Sequence, residues 1–333
     1  SPKNYSKEFA TFQLPCGKCI KCRLEYARSA AIRCVHEAKI HLDNSFVTLT
    51  YSDEHLESPK LIYAHIQKFI KDLRDHIFRD YTKRVFGKDH WKNLTSEQKK
   101  FHLKTYKGIY DATRISVFVT GEYGDDKKRP HWHLLIFNWS PSDRKYLRQN
   151  DRGDKIYTSH TLDTLWGRND PEKKPNEIGD VNFHSAGYCA RYAAKKLAHG
   201  QDQQHEYHPI HRRSSKHAIG KRFLEKYWKD IFTHGECIIM DETGKIHRCP
   251  IPRYYERWLE KHHPGEYVRY VTQTKAKKTQ AAATKQEQIN QKEFQENWER
   301  LNQGLPLQTT QLQAEEIILK DKFNRLQKAR QGE

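Results

Sequence analysis

The 333-residue chain has no apolar run approaching the roughly 18 to 20 residues that a bilayer-spanning helix needs, and no signal-peptide pattern at its start. The expectation is a soluble, intracellular protein with no membrane partner. A Gly-x4-Gly-Lys-Ser/Thr loop is also missing, so no ATP-driven helicase module is visible, and no internal repeat is present. Acidic residues are in short supply: 42 Asp and Glu face 60 Lys and Arg, a formal charge of +18. Such an excess suits a polyanion, and with the membrane set aside the favoured partner is nucleic acid. Paired cysteines are lacking too. The seven are odd in number, and Cys16, Cys19 and Cys22 crowd into one short segment. That usage favours reduced thiols and metal over a disulfide framework, as in a cytoplasm.

What is present reads as an α+β chain with a central, mainly antiparallel sheet and flanking helices. A cysteine-rich segment and a helix over 27–40 fill residues 1–45. The β-branched and aromatic run 46–51 predicts a strand. Ser58 and Pro59 then offer an N-cap and first turn to a helix carrying Ile62, Ile66, Phe69, Ile70, Leu73 and Ile77 at spacings of three and four. Residues 81–110 show no periodicity and read as an irregular basic excursion. Strands are expected over 115–121 and 131–137, then a polar stretch with a short helix at 162–166. A fourth strand at 180–184 and a helix over 185–198 follow, with a further helix at 219–229 and a hairpin over 237–247. The core domain spans 46–270. Residues 271–333 form a Gln/Lys-rich tail, either a marginal helix around Phe294, Trp298 and Leu301 or disordered.

Chemistry concentrates in two segments. On a strand, residues i and i+2 share a face, so His131 and His133 project together while Trp132 points away. Glu122, on the preceding strand of the hairpin, can be brought to the same face. Two imidazoles and a carboxylate with open positions suit Mn²⁺ or Mg²⁺. The plain alternative is a pair of histidines that face solvent. The second segment is a helix on which Tyr188 and Tyr192 stand at i and i+4, about 6 Å apart at Cβ, followed by Lys195 and Lys196. A cation beside a phenol favours the phenolate needed for nucleophilic attack. Here the plain alternative is two packing tyrosines. A metal that polarises a phosphodiester, together with a tyrosine nucleophile, gives transesterification to a 5′-phosphotyrosine and a free 3′-OH.

The ordered motifs Pro15-Cys16-Gly17-Lys18-Cys19-Ile20-Lys21-Cys22-Arg23, Phe46 to Tyr51, Gly121 to His133, Tyr188 to Lys195, Ile219-Gly220 and Pro252-Arg253-Tyr254-Tyr255 resemble the HUH endonucleases. More narrowly, they resemble the replication initiators of gokushovirus-type microviruses. The resemblance covers nearly all of residues 10 to 260. It implies an RRM-like or ferredoxin-like palm, cleavage of single-stranded DNA at a viral origin, and a host polymerase and helicase as partners in the bacterial cytoplasm. It also implies metal ligands at His131 and His133, with Glu122 the matching carboxylate. Tyr188 and Tyr192 would be catalytic, and Lys195 matches the lysine that follows them.

Cys16, Cys19 and Cys22, with Cys34 or His36 as a fourth ligand, are candidates for a structural Zn²⁺ site; three reduced thiols in a turn are the alternative. Single-stranded DNA needs cations for phosphates and flat faces for bases. Arg129, Arg191, Lys196, Arg212 and Arg213 are candidate DNA contacts. A non-enzymatic, zinc-stabilised nucleic-acid-binding protein would explain the charge, yet it leaves the histidine and tyrosine pairs as coincidence.

Overall fold

Three apolar segments form the central strands β1 (Asn44–Leu49), β2 (Ser116–Tyr123) and β3 (Pro130–Phe137). They belong to a computed structural model that describes residues 19–87, 90–105, 112–124, 128–198, 210–214, 218–241 and 243–328. Before β1 runs α1 (Ile20–Ala38), and between β1 and β2 lie α2 (Tyr63–Phe86), α3 (His90–Asn93) and α4 (Ser96–Thr105). After β3 come β4 (Lys145–Gln149), β5 (Lys155–Thr158), α5 (His160–Trp166), β6 (Glu177–Gly179), α6 (Phe183–Ala198) and β7 (Ile210–Arg213). Together the strands make a seven-stranded sheet in the order β4-β5-β6-β1-β3-β2-β7, antiparallel at every described pairing.

The two-residue period of the strands divides the sheet into two faces. Val47, Leu49, Val119, Trp132, Leu134 and Ile136 pack with Ile66, Phe69 and Leu73 of α2 and with Leu162 and Trp166 of α5. Phe118, Leu135 and Phe137 face the other way, against α1 and α6. His131 and His133 share this second face, which puts α6 over them. Helices α1 and α6 meet through small side chains, among them Ala27, Ala30, Ala31, Ala186 and Ala190, so their backbones can approach closely. Gly121 serves the first face, because a Cβ there would sit 2.6 Å from the Trp132 ring.

The chain closes over α1 with α7 (Lys221–His234), the hairpin β8 (Cys237–Met240) and β9 (Ile246–Cys249), and α8 (Arg253–His262). Arg33 Nε donates to the Ile219 carbonyl at 2.9 Å, Gly220 N donates to Glu37 Oε2 at 2.7 Å, and His36 Nδ1 lies 2.9 Å from the Tyr255 hydroxyl. Gly220 has φ +81°, and a Cβ there would lie 2.5 Å from that hydroxyl. The Ile219-Gly220 and Tyr254-Tyr255 motifs thus clamp the back of α1, with the Arg33 guanidinium 4.1 Å above the Tyr254 ring. Helix α9 (Pro264–Arg269), a π-turn (Tyr270–Lys275), α10 (Ala276–Asn302) and α11 (Gln311–Lys328) complete the described chain. The tail is therefore helical around Phe294, Trp298 and Leu301, and α10 buries none of its residues.

Several boundaries differ from the sequence expectation. Helix α1 starts at Ile20 rather than at 27, directly on the cysteine segment. Ser58 does not cap α2; its Oγ accepts from Lys60 N at 3.0 Å in a turn, and the helix opens at Tyr63. The excursion at 81–110 is largely helical: α2 continues to Phe86, and Thr95 and Gln98 form a reciprocal capping box before α4. The strand expected over 180–184 lies instead at Glu177–Gly179, as β6, and is preceded by β4 and β5, two strands not expected from the sequence. Asn182 is needed to cap α6, accepting from Ser185 N at 2.7 Å while its own N–H donates to Ser185 Oγ at 2.8 Å.

Candidate active site

Pairing register builds the site. Glu122 on β2 stands directly opposite His131 on β3, and Thr48 on β1 stands opposite His133, so all four reach one face. Glu122 Oε1 lies 2.9 Å from His131 Nε2 and 2.6 Å from His133 Nε2. Ligand atoms of these three residues all fall within 4.8 Å of one another. His133 and Glu122 are buried, while His131 opens to solvent.

The far nitrogens are also engaged. His131 Nδ1 is 3.2 Å from the Arg129 carbonyl, an acceptor only, so this nitrogen carries a proton and Nε2 is the one turned to the cluster. His133 Nδ1 is 3.0 Å from Thr48 Oγ1. Burial by itself would raise the Glu122 pKa, but the imidazoles of His133 and His131 outweigh it and hold the value down to about 2. A carboxylate kept ionised between two oriented imidazoles is a donor set that fits a divalent cation.

Helix α6 brings Tyr188 onto the cluster. Its hydroxyl donates to Glu122 Oε1 at 3.2 Å and lies 3.4 Å from His133 Nε2, and its ring meets the His133 ring edge-on at 5.0 Å. Phe46 packs beside both rings, 5.7 Å from His133 and 6.0 Å from Tyr188. Tyr192 follows one turn later on α6; its side chain, like those of Arg191, Lys195 and Lys196, lies outside the described residues.

The other candidates are scattered. Arg129 borders the cluster, donating to the Tyr51 carbonyl at 2.9 Å and pairing with Asp53. Arg213 lies on β7 opposite Phe118 and exposes its side chain 6.0 Å from the Tyr26 ring, while the side chain of Arg212 falls outside the described residues. The four-cysteine zinc set does not hold together. Cys16 lies outside the described residues and Cys19 caps α1, whereas Cys34 sits in the same helix as Cys22, ~18 Å further along its axis. Nor can His36 replace Cys34, because it is buried against Tyr255. Sequence reasoning missed Thr48, whose role follows from the β1–β3 register alone.

A family model described as Replication-associated protein ORF2/G2P matches residues 44–197, which runs from the first residue of β1 into the last turn of α6 and so includes the whole cluster. The chain is 40% identical over 327 residues to Replication-associated protein VP4 of Bdellovibrio phage phiMH2K, spanning 98% of this chain and 92% of that protein. It is 30% identical over 282 residues to Replication-associated protein ORF2 of Spiroplasma virus 4, with 83% and 76% covered. Replication-associated protein ORF4 of Chlamydia phage 1 is 30% identical over 263 residues, with 77% and 55% covered. No solved structure matches. With its site spanned by that family and nearly its full length aligned to a phage relative, the chain belongs to the replication-associated proteins of phages.

Proposed function

We propose that this protein is an HUH-type endonuclease that starts rolling-circle replication by nicking single-stranded DNA at a viral origin. The observation that carries the reading is the approach of the Tyr188 hydroxyl to the same carboxylate oxygen that faces both imidazoles. A divalent cation, Mn²⁺ or Mg²⁺, held by Glu122, His131 and His133 would polarise the phosphodiester and favour the phenolate. Glu122 and His133 orient the phenol, and the half-buried Phe46 ring packs beside it. In the step itself a bond forms between the tyrosine Oη and phosphorus while the bond from phosphorus to the 3′-oxygen breaks. The proton lost by the phenol is balanced by the one the 3′-oxygen gains. The 5′-phosphotyrosine keeps the energy of the broken ester, so the strand can be rejoined without ATP.

Tyr192, one turn along the same helix, would serve the second cleavage after a circle has been copied, and Lys195 would stabilise charge beside it. A host polymerase and helicase would act on the freed 3′ end in the cytoplasm of the bacterial host. A purely DNA-binding role leaves the clustering of Glu122, His131, His133 and Tyr188 without a purpose. Incubation with single-stranded origin DNA and Mn²⁺ should give a protein–DNA adduct that survives denaturation and is lost in the Y188F/Y192F double variant. An adduct that persists in the double variant refutes the tyrosine mechanism.

A further inference from the structure

Beyond β6 the sheet continues into the β4–β5 hairpin, whose outer strand is exposed along its whole length. The turn is firmly built. Asn150 Oδ1 accepts from the backbone N–H of Arg152 at 3.0 Å and of Asp154 at 2.8 Å, its amide donates to Asp154 Oδ2 at 3.1 Å, and Gly153 supplies φ +86°. At the root of the hairpin Arg148 grips both oxygens of Glu177, at 3.0 and 3.1 Å.

Two clefts meet at His133 of the cluster, with His131 lining the second, and the Arg148–Glu177 ion pair lines both. One, of about 860 Å³, runs from Thr48 and Glu177 toward Phe46 and Gly179 and is walled by Arg152 and Lys155. The other, of about 750 Å³, runs from the same pair toward Thr50 and Pro175, past Arg129, Lys173 and Lys174. Because β1 and β6 are antiparallel with Thr48 opposite Glu177, the clefts follow one another along a single line.

Seven acids line the two clefts. Glu177 holds Arg148, Asp180 holds Arg144 at 3.0 Å, Asp170 holds Lys173 at 3.1 Å, Asp53 holds Arg129, and Asp154 holds the Asn150 amide. Asp151 and Glu54 have no side-chain cation partner among the described residues. Arg152, Lys155 and Lys174 have no side-chain partner among the described residues, and Arg148 Nη1 makes no bond there either. Phe46 and Tyr188 add ring faces at the inner end of the first cleft. Unmatched cations along a groove, with aromatic rings beside them, are the elements of a single-strand binding track.

We propose that the two clefts form one continuous track for single-stranded DNA that crosses Arg148 at its midpoint. Arg148, Arg152 and Lys155 contact the phosphates on one flank of the cleaved position, and Lys174 contacts one on the other. The strand enters as a single strand because the reacting cluster is recessed: Glu122 is 7% exposed and His133 6%, beyond the reach of a stiff duplex backbone. This assignment rests on the DNA-cleaving reading of the cluster.

The test is fluorescence anisotropy of the full chain with a labelled single-stranded oligonucleotide in EDTA, across a salt series. Each phosphate contact on a single strand contributes about 0.7 to the slope of log K against log salt. The R148Q/R152Q/K155Q variant should therefore lose about 2 from the slope. The R152Q/K155Q variant, which disturbs no internal bond, should lose about 1.4. A control, K71Q/R74Q/R79Q on the exposed side of α2, should lose less than one contact. A slope loss in the cleft variants no greater than in the control overturns the track, as does an equal loss measured on a duplex. Because EDTA removes the chemistry, the two readings fail separately. Adduct formation with an unchanged slope sinks the track alone, and a shifted slope with tyrosine-independent cleavage sinks the mechanism alone.

Discussion

Replacing Thr48 with valine keeps the side-chain shape and removes only the hydroxyl that meets His133 Nδ1 at 3.0 Å. His133 itself is 6% exposed. With Nε2 given to a cation, Nδ1 then loses its hydrogen bond to Thr48, and a hydrogen bond lost at a buried donor costs about 1 to 3 kcal/mol. Losing the outer contact of a metal-bound histidine typically weakens metal affinity about 10- to 100-fold. At a Mn²⁺ concentration of about 100 times the native Kd, the wild-type fold gains about 2.7 kcal/mol from binding. For T48V the same concentration is only about 1 to 10 times Kd, and the gain falls to about 0.4 to 1.4 kcal/mol. Urea denaturation with and without Mn²⁺ reads this difference directly, and T48S, which restores the hydroxyl, should return the full gain. A T48V protein that keeps the wild-type increment would refute the claim that Thr48 orients a metal-binding imidazole.

Acidification should act through Glu122. Its folded pKa of about 2 lies below the ordinary 4.5, so the ionised carboxylate stabilises the fold fully above pH 4.5 and loses that contribution as pH falls toward 2. The full term is about 3 kcal/mol, of which about 2 kcal/mol is gone by pH 3. In metal-free buffer the stability gap between wild type and E122Q should narrow by that amount from pH 6 to pH 3, and a constant gap argues against the ion-paired cluster. G220A should destabilise the chain by about 2 to 4 kcal/mol in a urea titration, since a positive φ is combined with a Cβ 2.5 Å from the Tyr255 hydroxyl. A loss under about 0.5 kcal/mol would show that the clamp on α1 is loose.

The parts of the fold written in alternation were readable. His131, His133 and Trp132 declare their faces by position alone, and Glu122 follows because the hairpin places it across from His131. Thr48 could not be read this way, since its meeting with His133 depends on β1 lying beside β3, a register no local pattern encodes. The β4–β5 hairpin escaped notice for a related reason. Every residue of β4 is exposed, so it carries no apolar alternation, and its turn lies in a stretch that reads only as polar. Helix α10 has no buried face and so no hydrophobic period; its Ala, Gln, Lys and Glu content favours helix through propensity alone. Cysteine spacing misled in the opposite direction. Thiols twelve positions apart can share an ion across a turn but not along one helix, and nothing between Cys22 and Cys34 announced that the helix would be unbroken.

The most direct test of the account is the position of a bound ion. Anomalous diffraction from crystals of the full chain grown with Mn²⁺ should place one manganese within bonding distance of His131 Nε2, His133 Nε2 and a Glu122 oxygen, with the Tyr188 hydroxyl facing it. Manganese found elsewhere, or a cluster that stays ion-free at millimolar Mn²⁺ while the three side chains keep their hydrogen bonds, would contradict it.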